Sequence, residues 1–202
     1  MTAIDMPASP GFTNCRFGLE TNTQTFTSPL TKSTQRMLLG GARWVATYSL
    51  PAMRRDKAAY WIAFLDRLEG GVNTFNAFDP DCKTPRGAGT GTPLVNGGSQ
   101  TGSSLVIDGC TANVTGWLKA GDYFSVNGEL KRLTQDANTN GSGQTTLNFK
   151  PALRNSPADN AAITVQKATC TMVLADDMQA MWECNERGVY QPKTFAAFEV
   201  FS

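Results

Sequence analysis

Apolar and polar residues alternate along most of this chain, and only one stretch repeats at helical spacing. From Ala42 to Leu50, Trp44, Ala46 and Tyr48 fall on one face of an extended strand, and Arg43, Val45, Thr47 and Ser49 fall on the other. Gln35 to Leu39 reads as a partner strand, joined by a tight turn at Gly40-Gly41. Residues 56–69 predict a helix: Ala58, Trp61, Ile62, Leu65 and Leu68 recur three and four apart, and Tyr60 and Phe64 widen that stripe. Asp56 suits its first turn, where free N–H groups favour an acid, and Gly70-Gly71 supplies a left-handed stop.

Short strands dominate the remainder. Residues 72–79 read as one, and Leu105-Val106-Ile107, Tyr123 to Val126, Glu129 to Leu133, Thr145 to Phe149 and Ala162 to Val165 read as others. Asn127-Gly128 is a strong two-residue hairpin turn. Cys170 to Leu174, a start at Trp182-Glu183-Cys184, and Phe195 to Phe201 complete the set. An apolar end such as Phe195 to Phe201 is expected to be tied into a sheet.

The predicted class is therefore mainly β with one prominent helix: one β domain with the helix across it, plus an inserted small β-barrel or sandwich. In domain terms, residues 1–34 form an N-terminal arm anchored by few aromatics. Residues 35–86 and 166–202 share one split β domain, with the helix at 56–69. Residues 87–104 are a glycine-rich linker, and 105–165 are the insertion.

Composition narrows the function. Apolar residues make up 41% of the chain, enough for a core, and no apolar run approaches the roughly 20 residues of a membrane-spanning helix. Met1 to Phe12 lacks the basic start and apolar stretch of a signal peptide, so synthesis in a cytoplasm is expected. The 18 basic and 17 acidic residues nearly cancel, which removes any overall attraction to nucleic acid or an anionic membrane. There is no histidine, which rules out Ser-His-Asp and Cys-His catalysis and the histidine metal sites. Five widely spaced cysteines form no zinc pattern and are expected to be buried free thiols.

Other chemistry is sparse. Gly87-Ala88-Gly89-Thr90-Gly91-Thr92 lacks the lysine and the following helix of a phosphate loop. Asp79, Asp81, Asp122 and Asp176-Asp177 read as turn carboxylates rather than a calcium site or a glycosidase pair. Arg54-Arg55 and Lys131-Arg132 are small basic patches, and Trp117, Tyr123 and Phe124 near the latter could make an aromatic platform for a sugar or single strand. Trp117, Tyr123, Lys131, Arg132, Arg54 and Arg55 are thus the candidate subunit-interface or ligand-facing residues. No catalytic residue, metal ligand or cofactor is expected.

The run Leu50-Pro51-Ala52-Met53 to Ala58-Ala59-Tyr60-Trp61-Ile62-Ala63-Phe64-Leu65, then Thr74-Phe75 and Asp79-Pro80-Asp81, resembles a group of phage and prophage tail proteins. So do Pro85-Arg86-Gly87, Gly91-Thr92-Pro93, Lys119 to Tyr123 and Phe195-Ala196-Ala197-Phe198-Glu199, in that order along the chain. The group is the distal tail proteins of long-tailed, non-contractile phages and gene-transfer particles. The resemblance implies a non-enzymatic virion protein at the tail tip, assembled in the host cytoplasm. It implies that the split domain is a β-sandwich, ring-forming domain, building a homo-oligomeric ring, a hexamer in that family, between the tail tube and the hub proteins, with DNA only as passing cargo. Another tail component (tube, terminator or adaptor) and a carbohydrate-binding attachment module are the alternatives.

Overall fold

A computed structural model describes residues 3–201. In chain order the strands are β1 (Ile4–Asp5), β2 (Asn14–Thr27), β3 (Thr34–Leu50) and β4 (Met53–Arg54), followed by helix α1 (Arg55–Leu68). Then come β5 (Phe75–Ala77), β6 (Gly91–Val95), β7 (Ser104–Cys110), β8 (Tyr123–Val126), β9 (Glu129–Leu133), β10 (Thr145–Lys150) and β11 (Ile163–Thr164). The last are β12 (Cys170–Leu174), β13 (Val189–Tyr190) and β14 (Lys193–Glu199). The protein is mainly β with a single α-helix among the described residues, as the alternation predicts. The chain divides into two units: residues 3–8 with 72–172, and residues 9–71 with 173–201.

The first unit is built on a six-stranded sheet in the order β11-β8-β9-β10-β7-β6. It curls until its ends meet: Val95 N–H donates to the Ala161 carbonyl at 3.0 Å and Asn160 N–H to the Val95 carbonyl at 2.9 Å, so the sheet is a nearly closed barrel. Closure removes the free strand edges an open sheet would expose. Leu105, Ile107, Trp117, Phe124, Leu147 and Phe149 fill the interior. The turn at Asn127-Gly128 is as predicted, with φ of 50° and 75° at the two residues, the left-handed pair that lets a two-residue turn follow strand twist. Beside the barrel, β1 runs parallel to β5, and β5 pairs antiparallel with Cys170–Met172.

Residues 87–104 are not a linker. They contain β6, and Val95 is buried in the barrel core. Their glycines are there because backbones approach closely: a Cβ at Gly87 would collide with the Trp117 carbonyl, and one at Gly91 would lie 2.5 Å from the Gly109 carbonyl. Composition alone does not separate that use of glycine from flexibility.

The second unit lays α1 across a sheet in which β3 pairs with β14 on one side and β2 on the other. β14 is tied in as expected, from Lys193↔Leu50 to Phe198↔Val45. Trp44, Ala46, Tyr48 and Leu50 on β3, and Phe195 on β14, are buried with Ala58, Trp61, Phe64, Leu65 and Leu68 of α1. Ring centroids of Trp61 and Phe195 lie 6.1 Å apart, and Phe12 sits 5.3 Å from Trp61 and 4.7 Å from Tyr48. Each such side chain contributes about 1.5–3 kcal/mol on burial. The helix ends at a left-handed Glu69, one residue before the predicted glycines. Its N-cap is Arg54, which makes no side-chain cap bond, and Asp56 lies in the first turn.

Two strand expectations fail here. Gly40-Gly41 is not a turn: β3 runs unbroken from Thr34 to Leu50. Its partner is β2, and the register steps from Glu20↔Arg43 to Asn22↔Leu39, so Gly40 to Ala42 bulge opposite Thr21. Gly41, at φ 90°, serves a bulge as well as it would serve a turn. The turn lies at 28–33, where Ser28 N–H donates to the Ser33 carbonyl at 2.9 Å. Residues 1–34 are therefore, over 14–27, one half of a long hairpin. Trp182 to Cys184 forms no strand, only an isolated bridge from Cys184 to Tyr190.

Candidate functional site

The sequence-based candidates do not form a binding platform. Trp117 is 0% exposed, and its indole N–H donates to the Thr90 carbonyl at 2.8 Å. Lys131 is also 0% exposed; its ammonium donates to Glu129 Oε2 at 2.6 Å and to the Ala152 carbonyl at 2.8 Å. Neither faces a ligand. A charged residue next to a hairpin turn is ordinarily solvated, and Lys131 departs from that because Glu129 two residues earlier occupies the same face and supplies the counter-charge.

Tyr123 is buried too, its hydroxyl 3.4 Å from Asp79 Oδ2 and from an Arg132 guanidinium nitrogen, with Arg132 packed 5.8 Å from the ring centroid. Burial first, opposed by Arg132 and aided by Asp79, pushes the phenol up to about 12. Arg132 is half-buried against that ring. Arg54 and Arg55 belong to the other unit, at the exposed start of α1. With Trp117 and Tyr123 buried, the aromatic surface that motivated a carbohydrate-binding module is not there.

The turn carboxylates hold backbone. Asp122, 4% exposed, accepts N–H groups from Arg86, Gly87 and Lys119 at 2.9–3.0 Å. Asp79 accepts from Asp81 N–H at 3.1 Å, Asp176 from Met178 N–H at 2.7 Å and Asp177 from Gly71 N–H at 3.1 Å. Among the described residues no group of three or more Cys, Asp or Glu is placed to hold a metal ion. None of the five cysteines is in a disulfide, but only Cys110 and Cys170 are buried, and Cys184 is exposed. Among the described residues no helix is long and apolar enough to cross a membrane.

What the structure offers instead is the far end of the β2–β3 hairpin. Beyond the bulge, residues 22–39 make a two-stranded ribbon paired only to itself, from Asn22↔Leu39 to Thr27↔Thr34. Burial collapses along β3, from every second residue buried over Trp44–Leu50 to wholly exposed over Thr34–Leu38. Phe26 is 64% exposed, Met37 58% and Leu38 67%. Cross-strand pairing places Phe26, Gln35, Gln24 and Met37 on one face, where with Arg36 they line a shallow recess. From Thr23 to Thr27 and from Thr34 to Leu38, Arg36 is the single charge. Outside its turn, which holds Pro29 and Lys32, the ribbon therefore lacks the prolines and inward-pointing charges by which proteins blunt an exposed edge. The sequence signal was a Thr- and Gln-rich run with isolated apolar residues, indistinguishable from a sheet's solvent face.

No protein-family model matches the chain, and no curated protein matches it.

Proposed function

We propose that this chain is a structural subunit of the tip of a long-tailed phage, closing with copies of itself into a ring between the tail tube and the hub. The observation that carries the reading is the ribbon at residues 22–39. It extends the backbone pairing of a sheet past the point where its own chain supplies a core, and it presents Phe26 and Met37 to solvent. A two-stranded ribbon alone is marginal in water, and unguarded edges with apolar side chains gain stability from a further surface. One such element per chain meeting a different surface on the next is a head-to-tail contact, which closes into a ring when the rotation allows. The order of the sequence motifs supports a tail protein, six copies is the count in the family they resemble, and DNA would pass through the lumen. The role requires no catalytic group or cofactor.

The test is mass photometry with negative-stain imaging of the purified full chain across a concentration series, alone and mixed with tail-tube protein. Closed rings with a central opening are expected. A monomer under every condition sinks the proposal.

A further inference from the structure

A head-to-tail contact needs a second surface, and the unit that carries the ribbon has one. Residues 176–186 run over the turn after β12 and on toward β13. Met178 and Met181 there are 64% and 66% exposed. The segment contains Asp176, Asp177, Glu183 and Glu186, all exposed; exposed Arg187 follows it and the Lys193 ammonium donates to the Met181 carbonyl, so the acids outnumber the bases there four to two. The hairpin's far half is its complement: residues 21–42 contain Lys32 and Arg36 and no acid. Both surfaces thus combine exposed apolar side chains with an excess of one charge, negative at 176–186 and positive on the hairpin.

We propose that the ribbon of one copy docks on the 176–186 segment of the next, with Phe26 and Met37 covering Met178 and Met181, and with Lys32 on the tip turn and Arg36 from the ribbon's other face supplying rim charge opposite the acids. This inference rests on the ring reading and specifies its interface. Flexible methionine side chains adapt to irregular apolar partners, which suits a surface that must accept a twisted ribbon. Rim charges of opposite sign steer encounter and fix orientation, and like charges brought together at such a rim oppose assembly. The two surfaces differ, so the contact propagates from copy to copy instead of terminating as a symmetric dimer.

A charge swap tests the pairing. Lys32→Glu with Arg36→Glu, and separately Glu183→Lys with Glu186→Lys, change exposed side chains, so unfolding midpoints should match wild type. Each pair should raise the concentration needed for half-assembly by at least about tenfold. The four changes together should restore assembly toward wild type. In parallel, Met37→Cys should be joined to the native Cys184 by a short bismaleimide, giving dimers and a ladder on a denaturing gel that Cys184→Ser abolishes. Wild-type rings that survive both reversals, a fourfold variant that fails to recover, or no Cys184-dependent ladder would overturn this interface and leave the ring standing. A wild-type chain that never assembles would remove both.

Discussion

Two hairpins of this protein reverse the usual expectation about what is buried. β8–β9 carries Glu129, Lys131 and Arg132, yet Arg132 is its only strand residue not buried. The far half of β2–β3 carries Phe26, Met37 and Leu38, and these side chains lie open. The difference lies in what surrounds each pair of strands. Around β8–β9 the barrel supplies a partner for each charge: Lys131 has Glu129 and the Ala152 carbonyl, and Glu129 also accepts Arg154 and Asn155 N–H at 3.1 Å each. Around residues 22–39 the chain supplies only the other strand. A buried charge persists where its polar partners are complete, and apolar side chains lie open where the chain packs nothing against them.

The largest effect that can break this comparison lies in the barrel. Burial pushes the Glu129 carboxyl up, but the Lys131 ammonium and the two backbone N–H groups outweigh it and hold it below the ordinary glutamate range. Glu129→Ala takes from the buried Lys131 ammonium the carboxylate that lies 2.6 Å away, and it takes from the Arg154 and Asn155 N–H groups the oxygens they donate to. The expected loss is about 3–5 kcal/mol in urea denaturation. A loss under about 1 kcal/mol would mean that the pair is dispensable and that the contrast with the ribbon is only one of position. In wild type the contribution of this carboxylate is present above the unfolded glutamate pKa and is lost as pH falls through the lower folded one.

A smaller effect comes from alkali, and it too separates the hairpins. Tyr123 at the start of β8 is raised to about 12, and the barrel thiol of Cys110 to about 12, burial being the first cause in each. A raised folded pKa means that the native state keeps a proton the unfolded chain gives up. The thiol contribution is therefore complete only below the unfolded cysteine value of 9 and the phenol contribution below 10, and each falls as pH climbs from there toward 12. For Tyr123 the loss is on the order of 2 kcal/mol across that window. Tyr123→Phe should flatten the decline of the urea midpoint, leaving the thiol part. The ribbon has no tyrosine or cysteine between Thr21 and Gly40, so nothing of this kind acts there.

How much of this was legible beforehand follows the range of the signal. Asn127-Gly128 and the α1 stripe are local patterns with one physical solution each, and both are found, except that Tyr60, read as widening the stripe, is 65% exposed and Ile62 is only half-buried. Gly40-Gly41 has two solutions, a turn or a bulge, and the choice depends on a strand some twenty residues upstream. Gly87 and Gly91 look like linker glycines because the carbonyls they press against, those of Trp117 and Gly109, are distant in sequence. Lys131 was assigned to the surface because charge predicts solvation until its partners are known. The ribbon was missed for the opposite reason: exposure of Phe26 and Met37 is a property of what the chain omits around them, and no residue nearby encodes an omission.

The smallest effect sharpens the comparison most. Phe26→Ser and Met37→Ser remove large apolar side chains, the type of change that costs several kcal/mol inside either unit. On the isolated monomer, below its assembly concentration, each should move the unfolding free energy by no more than about 0.5 kcal/mol, because the wild-type side chain has little water-free contact to lose. The same changes should weaken assembly, measured by mass photometry at the concentration where wild-type rings form. A substitution silent in the monomer and damaging in the ring assigns these side chains to a neighbour. If either costs the monomer 2 kcal/mol or more, the ribbon already packs within its own chain and ceases to be the unfinished hairpin on which the ring depends.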